Sequence, residues 1–275
     1  MYSLSLTEQF FLLTFDIRKR VFATWYYTDK FYYGLCGAFL FELILSKKLI
    51  FTEDKELIED KDVSMSRAWV APLFEKIEKE LWFTILCGKN HQKTLANWLK
   101  VLKALAYNIR DATKSHLSSE KIIGKKNTKI FGVKLYSNTY LEDISILQSL
   151  KQDLWQTILG TKSPEIHYLT LLRLIKGLKI IKDIFSEKTI SEKKELEQKL
   201  NQLFEQEEIT RILQDVLLEE QKQEKWDSLL DSLDIISEAI EAIGESVDGI
   251  GDGSDGSDGS DGSDGSDGGG DGGSD

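Results

Sequence analysis

Apolar positions recur with a helical period through most of the first 225 residues. LTEQFFLLTFD sets Phe10, Phe11, Leu13 and Phe15 on an apolar face behind a cap at Thr7, which predicts a first helix. RKRV reads as an exposed turn. Seven aromatics between Phe22 and Tyr33 then run into GLCGAFLFELILSKKLIF, where Gly34, Gly37 and Ala38 fall on one side. That pattern predicts a central helix, buried on most faces and packed closely against a neighbour. LIF predicts a short strand, TEDKELIEDKDV a charged turn, and Ala71 to Cys87 and Trp98 to His116 two amphipathic helices. Ile122-Ile123 and Lys129 to Tyr136 flank GKKNTK as a hairpin signal. Helices over Leu141 to Leu159 and Pro164 to Phe185, and a polar pair of segments from Ser191 to Lys225, complete the body. Pro164 suits a helix start, where a missing N–H costs nothing.

The expected fold is mainly α: a compact multi-helix bundle with a buried core helix, a protruding β-hairpin and short accessory strands. Two prolines, and thirteen of the twenty glycines at or after Gly244, agree with it and argue against a β-sandwich or barrel. Three regions are expected: a helical domain over 1–225, an acidic amphipathic helix over 226–248 and a disordered Gly/Ser/Asp tail over 249–275. The last has no apolar residue after Ile250 and cannot offset its ordering entropy.

Charge is divided unevenly between these regions. The net charge of −11 comes from fifteen acids and no Lys or Arg after Lys225; residues 1–225 hold 31 acids against all 35 bases. Within that body, Lys89 to Lys134 contains eleven Lys or Arg against Asp111 and Glu120, and Arg173, Lys176, Lys179 and Lys182 form a second stripe. Basic faces on such a chain attract anionic surfaces. Lys outnumbers Arg by 29 to 6, which fits diffuse attraction better than bidentate base readout, so nucleic acid is not the expected partner. Trp25, Tyr26 and Tyr27 read either as an interfacial wedge or as core filling for the next helix.

Catalytic and metal chemistry find little support. His91, His116 and His167 are scattered, with no HExxH, Walker-type loop, G-x-S-x-G elbow or Cys/His cluster. His116 reads as a surface or C-terminal capping residue. GDGSDG matches a dinucleotide pattern with no strand before it or helix after it, and the Asp-Gly repeat lacks the glutamate that closes a calcium loop. No enzyme activity, cofactor or metal is expected. Cys36 and Cys87 are too few for a disulfide scaffold, which favours a reducing compartment. The apolar window Phe31 to Leu45 contains Glu42 and falls short of the roughly 20 residues that span a bilayer. The N-terminus lacks the basic region of a signal peptide. The expected location is therefore the cytoplasm.

The order of these elements resembles the Golgi phosphoprotein 3 family, mostly helical lipid-binding adaptors with relatives in bacteria. Its LTxxExxLL helix appears as LSLTEQFFLLTFD, its GLRGxxLxELxLxxxL core helix as GLCGAFLFELILSKKL, and its RNVRxxLxxxL helix with following hairpin as YNIRDATKSHL and IIGKKNTKIFGVKLY. LTLLRLIKGLKIIKDIF matches the late core helix, and the likeness runs from Leu4 to Leu218.

The resemblance implies a peripheral membrane adaptor that recognises phosphatidylinositol 4-phosphate-like headgroups, on the cytosolic face of the Golgi if the host is eukaryotic. Carried over by position, its headgroup residues are Tyr27, Cys36, Tyr107 and Arg110, of which Arg110 alone keeps a guanidinium. Lys103 and Lys114, near the face of Arg110, compensate in part. The loss of two forked donors predicts a weakened pocket with little selectivity for one phosphoinositide. The resemblance also implies self-association through the hairpin, at Ile130, Phe131 and Val133, and contact with cytoplasmic tails of membrane proteins. The alternative is a non-catalytic protein-binding scaffold that kept the fold and lost lipid recognition.

Overall fold

A computed structural model describes residues 4–205 apart from 18–20, 24–25, 27, 53–56, 66, 88–94, 131–132 and 164. Helix α1 (Leu6–Leu12) starts two residues earlier than a cap at Thr7 would have placed it. Ser5 is the cap: its hydroxyl accepts from the Glu8 N–H at 3.1 Å while Glu8 Oε2 accepts from the Ser5 N–H at 2.7 Å. Thr7, inside the helix, donates its hydroxyl to Glu42 Oε2 at 2.7 Å instead. Strands β1 (Phe15–Asp16) and β2 (Val21–Phe22) pair antiparallel and lead to helix α2 (Asp29–Leu45), the buried central helix the sequence predicts.

Helix α2 is apolar on most sides because other helices cover most sides. It packs against α1 and against three helices further along the chain, α4 (Leu95–Ala104), α5 (Ala106–Ser119) and α7 (Ile166–Gly177). Gly34 permits that closeness: a Cβ there would overlap the Phe10 ring and lie 2.6 Å from Leu178 Cδ1. Strands β3 (Leu49–Phe51) and β4 (Leu57–Glu59) pair antiparallel after α2, so the charged segment read as a turn contains a strand. Lys48 is buried beside them and donates to the Asp60 and Val63 carbonyls at 2.9 and 2.8 Å. Helix α3 (Val70–Cys87) follows, and Trp98 on α4 closes this end, stacking near Phe74 and donating its indole N–H to the Leu57 carbonyl at 3.1 Å.

Two segments expected as single helices are each broken. The first breaks at Leu105, between α4 and α5, where a buried side chain ties the corner to the core. The second breaks after α7, where Lys179 takes φ 54° and donates its N–H to the Lys176 carbonyl; Ile180 N–H returns to Ile175, and the short α8 (Ile181–Ile184) begins. This is a helix closure of the kind usually made by glycine. Its consequence is that Arg173, Lys176, Lys179 and Lys182 do not form one continuous stripe. Arg173 and Lys176 lie over the Phe204 ring of α9 (Ile190–Glu205) at 5.1 and 5.6 Å, and Lys182 pairs with Glu197 of α9 at 2.8 Å.

The hairpin is longer than expected and turns elsewhere. Strands β5 (Ile123–Ile130) and β6 (Val133–Leu141) pair from Ile123↔Leu141 to Ile130↔Val133, with a register shift between Thr128 and Lys129. GKKNTK is therefore strand. Lys125, Lys126 and Asn127 stand opposite Thr139, Asn138 and Ser137 in the backbone register, so the ladder runs through polar sequence on both strands. The side chains of Ile130 and Val133 and the whole of Phe131 lie outside the described residues. Helix α6 (Ile144–Ile158), capped by Asp143, completes the body against α7 and α9. The acidic segment and Gly/Ser/Asp tail also lie outside the described residues.

Candidate functional site

The corner at Leu105 decides which basic side chains meet. Lys103 and Arg110 fall on either side of it, on different helices and with different partners. Lys103 reaches back to α2, hydrogen-bonding the Tyr33 hydroxyl and lying 4.6 Å from the centre of its ring. That hydrogen bond holds the lysine pKa above its ordinary value.

Arg110, one turn into α5, is held on three sides. Its Nε and Nη2 approach Asp111 Oδ1 at 2.8 and 2.7 Å, and Nη1 donates to the Tyr32 hydroxyl at 3.2 Å. The Tyr107 ring lies 4.9 Å from the guanidinium carbon and 4.8 Å from the Tyr32 ring. Burial opposes the charge on Arg110, but the Asp111 hydrogen bond and charge outweigh it and raise the pKa. Tyr107 is 59% exposed, one of two large apolar side chains so exposed among the described residues. Lys114, one turn on and half-buried, lies 5.8 Å from the Phe22 ring. Burial pushes its pKa down, and repulsion from Lys125 on β5 and from Arg110 pushes it further. A patch of positive potential thus sits where the start of α2, the first half of α5 and the base of the hairpin meet.

Two expected site residues are elsewhere. Cys36 is 1% exposed, its thiol donating to the Leu102 carbonyl at 3.2 Å between α2 and α4, and burial pushes its pKa up to about 12. It does not join the surface group. Tyr26, expected at a membrane interface, is core: its ring stacks on Phe22 at 3.9 Å and meets Phe31 at 4.5 Å and Phe11 at 6.1 Å. The reading of the aromatic run as core filling is the one that holds for Tyr26. Trp25 and Tyr27 lie outside the described residues.

Sequence reasoning missed Tyr32, Tyr33, Asp111 and Lys125 as neighbours of the site. Asp111 was legible in one respect, being one of two acids in a basic stretch; the tyrosines were submerged in a run of seven aromatics. It also misread His116, which is not a free surface residue but pairs with the buried Glu8.

A separate cleft of about 320 Å³ lies between α6 and the turn before α9, walled by Trp155 and Phe185. Its lysines are engaged: Lys151 with the Ile184 carbonyl and Glu187, Lys188 with the Trp155 ring at 4.0 Å. Among the described residues no group of three or more His, Cys, Asp or Glu is placed to hold a metal ion, and no helix is long and apolar enough to cross a membrane.

No curated protein matches the chain closely. A family model does, over residues 6–237, which takes in every described helix from α1 to α9 and runs past Lys225 into the acidic segment. With the buried GLCG helix, the α5 segment around Arg110 and the hairpin after it in the expected order, the chain belongs to the Golgi phosphoprotein 3 (GPP34) family.

Proposed function

We propose that this protein is a non-catalytic peripheral adaptor that docks on anionic phospholipid, and that its headgroup site is the patch formed by Arg110, Lys114 and Lys125 with the tyrosines around them. The observation that carries this reading is the guanidinium of Arg110 held at the surface by Tyr32 and Tyr107, one helical turn from Lys114, whose pKa is lowered by burial first and then by Lys125 and Arg110. Cations that repel one another across a surface favour an anion between them. Family membership supports a site at the cytosolic face of the Golgi if the host has one. With one guanidinium in the patch, total charge rather than one headgroup sets affinity, and phosphatidylinositol 4-phosphate competes on nearly equal terms with simpler acidic lipids. Hairpin-mediated pairing of two copies and contact with cytoplasmic tails of membrane proteins belong to the same proposal.

The test is vesicle sedimentation across a series of lipid charge and salt. Bound protein should rise with anionic lipid and fall as salt screens the patch, and Arg110→Ala should weaken it. Absence of binding to strongly anionic vesicles at low salt would reject the reading. A second reading, a protein-binding scaffold without lipid recognition, draws on Cys36, which faces the core, and on Arg110, whose donors are engaged within the chain. It requires vesicle binding to fail while an immobilised cytoplasmic-tail peptide still retains the protein.

A further inference from the structure

We propose that Asp111 is a built-in occupant of the Arg110 fork, a carboxylate that holds the place of a phosphate until an anionic headgroup displaces it. The inference rests on the headgroup reading of this patch and concerns how the site is regulated. Neighbouring residues on a helix point about 100° apart, so adjacent side chains do not ordinarily face each other. Arg110 and Asp111 nevertheless meet, because the guanidinium folds back along α5 until Nε and Nη2 both lie within 2.8 Å of Oδ1. Those two N–H groups form one edge of the guanidinium, the paired edge with which arginine grips carboxylate and phosphate alike.

The other contacts of Arg110 fix the fork without competing for that edge. Tyr32 takes Nη1 and Tyr107 covers a face. Three-quarters of the Arg110 side chain is buried, whereas the Asp111 side chain is 64% exposed. Displacement is therefore one-sided: the carboxylate swings into water while the guanidinium stays in place. Exposed ion pairs are weak, so the occupant is removable by a more highly charged anion. Its removal also takes a negative charge away from Lys114, whose ammonium Asp111 stabilises. A lone phosphate in solution must replace the carboxylate by itself. A membrane brings many phosphates to Arg110, Lys114 and Lys125 together, so self-capping favours the surface over the soluble anion.

The experiment uses the full chain and four variants: Asp111→Asn, Asp29→Asn, and each of these combined with Arg110→Ala. Asp29 is a control of equal charge, because the cation it acts on is Lys103. Vesicles of phosphatidylcholine with phosphatidylserine, or with phosphatidylinositol 4-phosphate, serve as probes, with inorganic phosphate as competitor and circular dichroism to confirm folding. Asp111→Asn should tighten vesicle binding about two- to fivefold beyond Asp29→Asn, the range of an exposed ion pair. The excess should vanish in the Arg110→Ala background, and inorganic phosphate should displace Asp111→Asn more readily than wild type. Equal gains for the two single variants, or an excess that survives Arg110→Ala, overturn the inference and leave lipid binding standing. Failure of the wild type to bind anionic vesicles at low salt removes the lipid reading and this inference together.

Discussion

The imidazole Nδ1 of His116 on α5 lies 2.5 Å from Glu8 Oε1 on α1, joining residues 108 apart in sequence. Glu8 is 1% exposed, yet its carboxylate is satisfied from several directions: Oε2 accepts from the Ser5 N–H at 2.7 Å and faces Arg67 Nη1 at 3.4 Å. One carboxylate thus caps its own helix and fastens it to the helix that carries Arg110. Removing a partner leaves a buried polar group short of a hydrogen bond, at a cost of about 1–3 kcal/mol. His116→Ala and Glu8→Gln should each lower stability by that order in urea denaturation. The double variant should lose less than the sum, and strict additivity would show that the contact carries no coupling.

Cys36 should be chemically silent in the folded protein. With its pKa pushed up to about 12, the thiol stays protonated at pH 8, and in a Cys87→Ser background Ellman's reagent should label it only on unfolding. The folded state holds this proton more tightly than the unfolded chain, whose thiol ionises near 9.0, so the contribution is intact below pH 9 and is lost between pH 9 and about 12. Wild type should lose stability relative to Cys36→Ala by up to about 1.4 kcal/mol per pH unit across that window. Parallel pH curves for the two proteins would refute the assignment.

Tyr107 and Cys36, both at positions where the family resemblance implies arginine, should respond in opposite ways to its restoration. Tyr107→Arg extends into solvent beside Arg110 and should strengthen binding to acidic vesicles about tenfold if one new charge-assisted contact forms. Cys36→Arg drives a guanidinium between α2 and α4, where burying an unpaired charge should unfold the protein or cost at least 3 kcal/mol. A stable Cys36→Arg protein, seen by thermal melting, would mean that the side chain finds a way to the surface.

Lys47, Lys121 and Lys179 follow α2, α5 and α7 in the left-handed region, with φ of 59°, 58° and 54°. Glycine reaches this conformation without a Cβ clash. Lys121→Gly and Lys179→Gly should each therefore stabilise the protein by about 0.5–1 kcal/mol, less what the freer unfolded chain takes back. A loss on both in chemical denaturation would show that the lysine side chains make contacts worth more than the backbone strain.

The helical class, the central helix and the basic stretch around Arg110 were legible because each depends on local pattern. An apolar run such as GLCGAFLFELIL has no polar side to offer water, so burial on several faces is its one stable outcome. The broken helices were not legible. Lysine occupies the position after α7 where glycine would have signalled the stop, and Leu105 reads as one more apolar residue in a helical period. Nor was the hairpin turn, since GKKNTK looks like a loop until a polar partner strand pairs with it.

The sequence by itself determined that the chain is mainly helical, that its body carries a concentrated positive charge, and which family's order of elements it follows, because composition and periodicity act without reference to distant residues. Tertiary structure alone decided that Tyr26 and Cys36 turn inward, that Lys103 answers to Tyr33, and that His116 answers to Glu8. Those outcomes rest on contacts between residues as far as 108 apart or on which side of a helix another element covers, and whether a side chain meets water or core is settled by the packing of both partners.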